Sequence, residues 1–175
     1  GKKMGMLGLT AVMGFNMGWT PYFLKRGREV GARIEFAKIA TLFTGIMGYI
    51  SMMVSIWISE IMQFSIFGRT LIGAEFWSCE PVVSAILLGY FFFGTYVIQL
   101  PGIYMKEITN WVPVFRILGA MTLFLTSIWL IPAFGLIGAA FGVTLAFIVM
   151  SISIYIKTYR IYTEPYNWRG ILFPI

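Results

Sequence analysis

The sequence predicts an all-α polytopic membrane protein, and three observations carry that prediction. Of the 175 residues, 59% are hydrophobic and only 11% charged, against roughly 25% charged in a soluble globular domain. Residues 4–24, 39–59, 81–105 and 117–156 contain no charge at all, and about 20 apolar residues suffice to cross a bilayer as a helix. The charges that do occur lie in short clusters between these runs, as in the connections of membrane proteins. About five transmembrane helices are expected in one membrane domain, over residues 2–24, 37–60, 82–104, 112–132 and 135–157.

The first span opens on Lys2 and Lys3 and ends at Trp19-Thr20-Pro21 and a basic cluster, with Gly5, Gly8, Gly14 and Gly18 allowing close helix approach along it. It is not a signal peptide, because a basic loop rather than a small-residue cleavage site follows it. The connection 25–38 holds Lys25, Arg26, Arg28, Arg33 and Lys38 against two Glu, whereas 60–80 holds only Arg69 against Glu60, Glu75 and Glu80. The Lys/Arg excess marks the first as cytoplasmic and the second as outer. Connection 106–116, with Lys106 and Arg116 against Glu107, and segment 157–175, with Lys157, Arg160 and Arg169 against Glu164, return to the cytoplasmic side. The alternation is consistent across all five spans.

The 40 residues of 117–156 are too long for one crossing. They break at Ile131-Pro132-Ala133-Phe134-Gly135, where Pro132 lacks a donor and Gly135 tolerates positive φ. Gly135, Gly138 and Gly142, spaced by three and four, share one face of the last span and suit close packing. Trp19, Tyr22, Trp77, Trp111 and Trp168 lie near span ends, where aromatic rings settle at headgroup depth. Lys2 and Lys3 fall at the outer end of the first span or inside the membrane. The chain opens on Gly and closes on the apolar run Ile171-Leu172-Phe173-Pro174-Ile175, so it reads as a piece of a longer membrane protein.

Composition also excludes whole classes of chemistry. With no His and no Asp, His–Asp triads, His-ligated metals and aspartyl dyads are impossible within the chain. No cofactor, metal or side-chain catalysis is expected, and the single Cys79 cannot form an intrachain disulfide. The net charge of +6 is spread over loops rather than along a continuous stripe, so nucleic acid is not an expected partner.

Polar groups at membrane depth are costly and therefore the first functional candidates. Thr10, Thr41, Thr44, Ser51, Ser55 and Thr95 can bond their own helix backbone, which leaves Asn16, Gln99 and Arg116, with Lys2 and Lys3. Arg116 and the two lysines can simply reach the headgroups. Alternatively these cations line a wet cavity, with Asn16 and Gln99 as polar lining, and neutralise an anionic substrate in transit. An unpaired ion moved into a low-dielectric medium costs on the order of 20 kcal/mol in the idealised limit, so a diphosphate needs such a path.

Gly14-Phe15-Asn16-Met17-Gly18-Trp19-Thr20-Pro21-Tyr22-Phe23-Leu24-Lys25 resembles the F-N-x-x-W-x-P-F-F pattern of polysaccharide biosynthesis flippases. These are the O-antigen type of the multidrug/oligosaccharidyl-lipid/polysaccharide exporter superfamily. Leu130-Ile131-Pro132-Ala133-Phe134-Gly135-Leu136-Ile137-Gly138-Ala139-Ala140 is similar to that family's L-I-P-x-F-G-I-x-G-A-A turn. Glu75-Phe76-Trp77 before Val82-Val83, and Thr163 to Arg169, resemble its linkers. The chain departs from the family at Leu125-Thr126-Ser127-Ile128, where many relatives carry an Asn. The resemblance implies the later part, spans eight to twelve, of a bundle of twelve to fourteen spans. It implies an alternating-access carrier, not an enzyme, that flips a polyprenyl-diphosphate-linked oligosaccharide across a bacterial inner membrane for surface polysaccharide such as lipopolysaccharide O-antigen. The implied partners are that lipid-linked oligosaccharide, membrane lipid, and glycan polymerase or ligase components, and Lys2 and Lys3 fall in a Lys-bearing segment of the family. The alternatives are a cation-coupled multidrug exporter of the same superfamily, which wants a buried carboxylate and has only Glu60 to offer, and a membrane-embedded glycan ligase or polymerase, which wants a large outer loop.

Overall fold

The computed structural model describes the backbone of residues 2–27, 29, 31–63, 65–66, 69–70 and 80–159, with side chains from Gly8 onward except in the short ladder and at Arg33. The elements are α1 (Lys2–Arg26), α2 (Ala32–Ile56), α3 (Ile58–Gln63), β1 (Ser65–Ile66), β2 (Arg69–Thr70), α4 (Glu80–Ile98), α5 (Leu100–Tyr104) and α6 (Trp111–Tyr159). The regular structure of the described residues is helical but for the antiparallel ladder β1–β2, which pairs Ser65 with Thr70 and Ile66 with Arg69 in the connection between α3 and α4. Among the described residues three helices are long and apolar enough to cross a membrane: Ile34–Ile56, Glu80–Tyr104 and Trp111–Tyr159. The protein is membrane-embedded on that ground.

The 49-residue α6 is two helices in one run, because Gly135 (φ 58, ψ −129) reverses the chain inside it. That dihedral pair is open to glycine and strained for any residue with a Cβ. Each arm, 111–134 and 136–159, is about 36 Å long at 1.5 Å per residue, enough to cross about 30 Å of hydrocarbon. The arms pack antiparallel: a Cβ on Gly138 would collide with the Leu130 carbonyl, one on Gly142 would lie 3.2 Å from Thr126 Oγ1, and one on Gly119 would lie 2.5 Å from Met150 Cγ. The turn at Gly135 therefore holds as the sequence implies, but the close-packing face reduces to Gly138 and Gly142, since Gly135 forms the reversal itself and a Cβ on it would meet nothing within 4 Å. At the missing Asn, Thr126 bonds its own helix instead, donating to Thr122 O at 2.7 Å.

The third run, expected over 82–104, begins at Glu80 and is broken into α4 and α5 at Gln99. Pro101 supplies the reason, having no N–H for the Val97 carbonyl. The bonds there tighten to three-residue spacing, from Gln99 N to Tyr96 O (3.3 Å) and Gly102 N to Gln99 O (3.2 Å). The basic connection is shorter than the sequence suggested: α1 continues through Pro21 to Arg26 and α2 starts at Ala32. Only Gly27 to Gly31 separates them, with Gly31 left-handed at φ 89. Arg, Glu and Ala are good helix formers, so the charged residues extend helices rather than loops.

α4 is the hub, packed against α6, α2 and α1, while α1 and α2 lean on α4 far more than on one another. Thr144 Oγ1 ties α6 to α4 by donating to Ala85 O at 2.6 Å, and Gly89 gives it room. Rings fill the angle between α1 and α2: Phe15 stacks on Phe43 at 3.9 Å between centroids, and Trp19 meets Phe36 edge-on at 5.4 Å. Trp19 is thus not part of a headgroup belt; at 3% exposure it is core, because its helix position faces α2. Trp111 does suit a headgroup position, with the Lys157 ammonium 3.7 Å from its ring centroid. Trp77, Trp168 and Cys79 lie outside the described residues.

Candidate functional site

The break at Gln99 gathers the polar groups that the apolar helices otherwise lack. Gln99 Nε2 donates to Thr95 O at 2.7 Å and reaches Ser151 Oγ at 3.5 Å, on the second arm of α6. Thr95 Oγ1 lies 2.7 Å from Ser151 Oγ and also donates to Phe92 O at 2.7 Å. A threonine hydroxyl has one proton, so Ser151 is the donor to Thr95. Every donor in this chain of groups is then used, and one acceptor is left over: Gln99 Oε1 is buried with no partner. Exchanging the amide atoms does not rescue it, since that would set the Gln99 oxygen 2.7 Å from the Thr95 carbonyl oxygen.

One residue along α4 from Thr95, the Tyr96 hydroxyl is also buried without a hydrogen bond, on a side chain only 1% exposed. Its charged neighbour is Arg116, one turn into the first arm of α6 and itself exposed. Two of the five residues expected from sequence therefore lie beside an unpartnered buried polar atom, Gln99 at its own Oε1 and Arg116 at the Tyr96 hydroxyl. No hydrogen bond joins these two directly among the described residues. Polar atoms with unfilled bonds in a low-dielectric setting cost free energy, about 1–3 kcal/mol each, and such cost at membrane depth is usually functional.

Asn16 stands apart. It is half-buried on α1, and its Oδ1 accepts from Thr20 Oγ1 one turn on, at 3.0 Å. Local satisfaction of that kind removes it from the Gln99 patch. Lys2 and Lys3 belong to the first turn of α1, but their side chains lie outside the described residues. Glu60, the one carboxylate available to a cation-coupled exporter, is exposed in the first turn of α3.

Ser151 and Tyr96 are the members that sequence reasoning missed. Thr95 was expected to bond its own backbone, and does, yet it also reaches across to Ser151. A serine in an uncharged run carries no signal until the facing helix is known.

At the basic end, Tyr22 donates to Glu35 Oε1 at 2.5 Å, and Arg26 Nη1 donates to the two Glu35 oxygens at 3.2 and 3.4 Å. Arg26 also sits 3.6 Å from Glu29. The Tyr22 hydroxyl and the two carboxylates hold the Arg26 guanidinium above its ordinary pKa, so it stays charged. This cluster clips the end of α1 to the start of α2.

Comparison with models of known protein families, with curated proteins and with solved structures finds no match for this chain.

Proposed function

We propose that this chain is the later part of a carrier of twelve to fourteen spans that flips a polyprenyl-diphosphate-linked oligosaccharide across a bacterial inner membrane by alternating access. The observation that carries the reading is the patch at Gln99. It sits at a broken helix, and transporters place substrate sites where discontinuous helices expose polar groups in the bilayer. It offers hydroxyls and an unfilled amide oxygen of the kind that exchange hydrogen bonds with a sugar, and Arg116, beside Tyr96 of α4, supplies a guanidinium that pairs bidentately with phosphate oxygens. Lys2 and Lys3 would add cations from α1, and Asn16 would line the same path in the complete bundle. The residue patterns around Trp19-Thr20-Pro21 and Leu130 to Ala140 point the same way by resemblance.

No bond chemistry is required of the protein. The diphosphate stays paired with cations in the wet path while the polyprenyl tail remains in lipid, and the helices move around it. The test is genetic and biochemical. Removing the protein from its host should leave lipid-linked oligosaccharide stranded on the cytoplasmic face and abolish surface polysaccharide, and Gln99→Ala with Arg116→Ala should reproduce much of that loss at normal protein level. Normal surface polysaccharide in the deletion strain would overturn the proposal.

A further inference from the structure

Between α1 and α2 an open groove of about 380 Å³ is lined by Gly14, Phe15, Gly18, Trp19, Tyr22 and Ile39. It exists because the glycines meet nothing: a Cβ at Gly14 or Gly18 would find no atom within 4 Å. These two glycines therefore do not bring another helix of the described fold close, contrary to what their spacing suggests; Gly8 does, against Tyr90 and Leu87. Gly14, Gly18, Tyr22 and Lys25 follow one stripe of α1 at i, i+4, i+8 and i+11. Eleven residues of helix rise about 16 Å, one leaflet's share of a hydrocarbon core about 30 Å thick. The groove is apolar for that depth and then ends in charge.

The charge is basic. Segment 25–38 carries five Lys/Arg against two Glu, and both glutamates are engaged with Arg26. Lys25, on the stripe, and Lys38, next to Ile39 of the groove wall, are exposed and make no ion pair among the described residues. One more group in the wall lacks a partner: Trp19 is 3% exposed and its indole N–H has no acceptor.

We propose that this groove seats one anionic phospholipid of the leaflet next to the basic loop, with an acyl chain lying along Gly14 and Gly18 and the phosphate between Lys25 and Lys38. Basic pockets between spans on the cytoplasmic side recognise lipid phosphates in this way. Tyr22, held by Glu35 at 2.5 Å, closes the groove's inner end as a fixed wall. A bound lipid would brace α1 against α2 where they scarcely touch. The site is separate from the Gln99 patch, so it stands whether or not the chain carries oligosaccharide.

The test is native mass spectrometry of the full chain released from nanodiscs of equal phosphatidylglycerol and phosphatidylcholine. The parent should retain one phosphatidylglycerol. Gly14→Leu with Gly18→Leu fills the groove from positions where an added Cβ meets nothing within 4 Å, and should abolish retention while leaving the chain monodisperse. Lys25→Gln with Lys38→Gln leaves the groove open and should lower the preference for phosphatidylglycerol by about fivefold for each lysine; this pair is exposed, so it keeps the test valid if the leucine variant fails to fold. Equal retention of both lipids by the parent would overturn the proposal. So would a dimer lost on the leucine substitutions, which would mean that a second copy fills the groove.

Discussion

Gly138→Ala probes the tightest contact of the fold. The added Cβ would fall on the Leu130 carbonyl, 2.5 Å from its carbon and 3.1 Å from Ile131 N. Carbon atoms pack at about 3.5–4.0 Å, so the arms of α6 must part by about 1 Å at this level. The obstacle is backbone, and no rotamer change relieves it. Overpacking of a tight interface costs about 1–3 kcal/mol, and parting the arms also loosens Gly142 against Thr126 and Ser127. For a chain of this size each kcal/mol shifts the melting midpoint by about 2–4 °C, so a fall of about 2–12 °C is expected. Gly119→Ala should cost less, because its obstacle is the flexible Met150 side chain, at Cγ and Sδ, rather than backbone, and Gly14→Ala should be neutral or slightly stabilising, since Ala favours helix by about 1 kcal/mol over Gly. The assay is a thermal ramp of detergent-purified protein followed by size-exclusion with fluorescence detection. Equal midpoints for Gly138→Ala and Gly14→Ala would refute the packing geometry derived for the hairpin.

Gly135→Ala meets no atom within 4 Å but keeps the strained φ of 58; a loss of about 1–3 kcal/mol is expected from backbone strain alone, read in the same ramp. Thr144→Val removes the bond to Ala85 O that ties α6 to α4 and should cost about 0.6–1.7 kcal/mol, the range for interhelical bonds in membranes, with Thr144→Ser restoring most of it. Gln99→Leu discards two donors' bonds together with the unfilled Oε1; these effects offset, so stability should shift by less than about 1 kcal/mol while surface polysaccharide falls. Lys157→Ala exposes the Trp111 ring now under the ammonium at 3.7 Å; a loss of about 0.5–1 kcal/mol is expected, and Lys157→Arg should recover it.

The sequence was most legible where local chemistry decides the backbone. Pro132 and Gly135 announce a reversal in an uncharged run that is too long for one crossing, and the helix does reverse at Gly135. Uncharged runs and charge clusters likewise located the long helices, although α1, expected as the first of five spans, is not among the three helices of the described residues long and apolar enough to cross a membrane. Legibility failed where the answer depends on which helix stands opposite. Gly14 and Gly18 have the spacing of a packing face, yet they line an open groove, while Gly8 on the same helix is crowded by Tyr90. Trp19 has the ring type and place of a headgroup anchor but is buried, because Phe15, Phe36 and Tyr22 surround it. The run 80–104 is no more conspicuous than its neighbours, yet half of its window is buried against 11% for α2; centrality is a property of the bundle. The site shows the same division, since Gln99 was visible as a polar residue in an apolar run and Ser151 was not.

The arrangement of α1, α2 and α4 sets what can move. α1 and α2 are each anchored on α4 and joined to one another by stacked rings and by the Tyr22–Glu35–Arg26 cluster at one end. Stacked ring pairs contribute about 0.5–1.5 kcal/mol each beyond their burial, and exposed ion pairs contribute little. Opening between α1 and α2 is therefore inexpensive compared with opening between α4 and α6, where Thr144, Gly89 and the crowded glycines interlock. A carrier built on this chain would open most readily between α1 and α2, with each of them still anchored on α4, and Gln99 and Ser151 lie on the α4–α6 side of that opening.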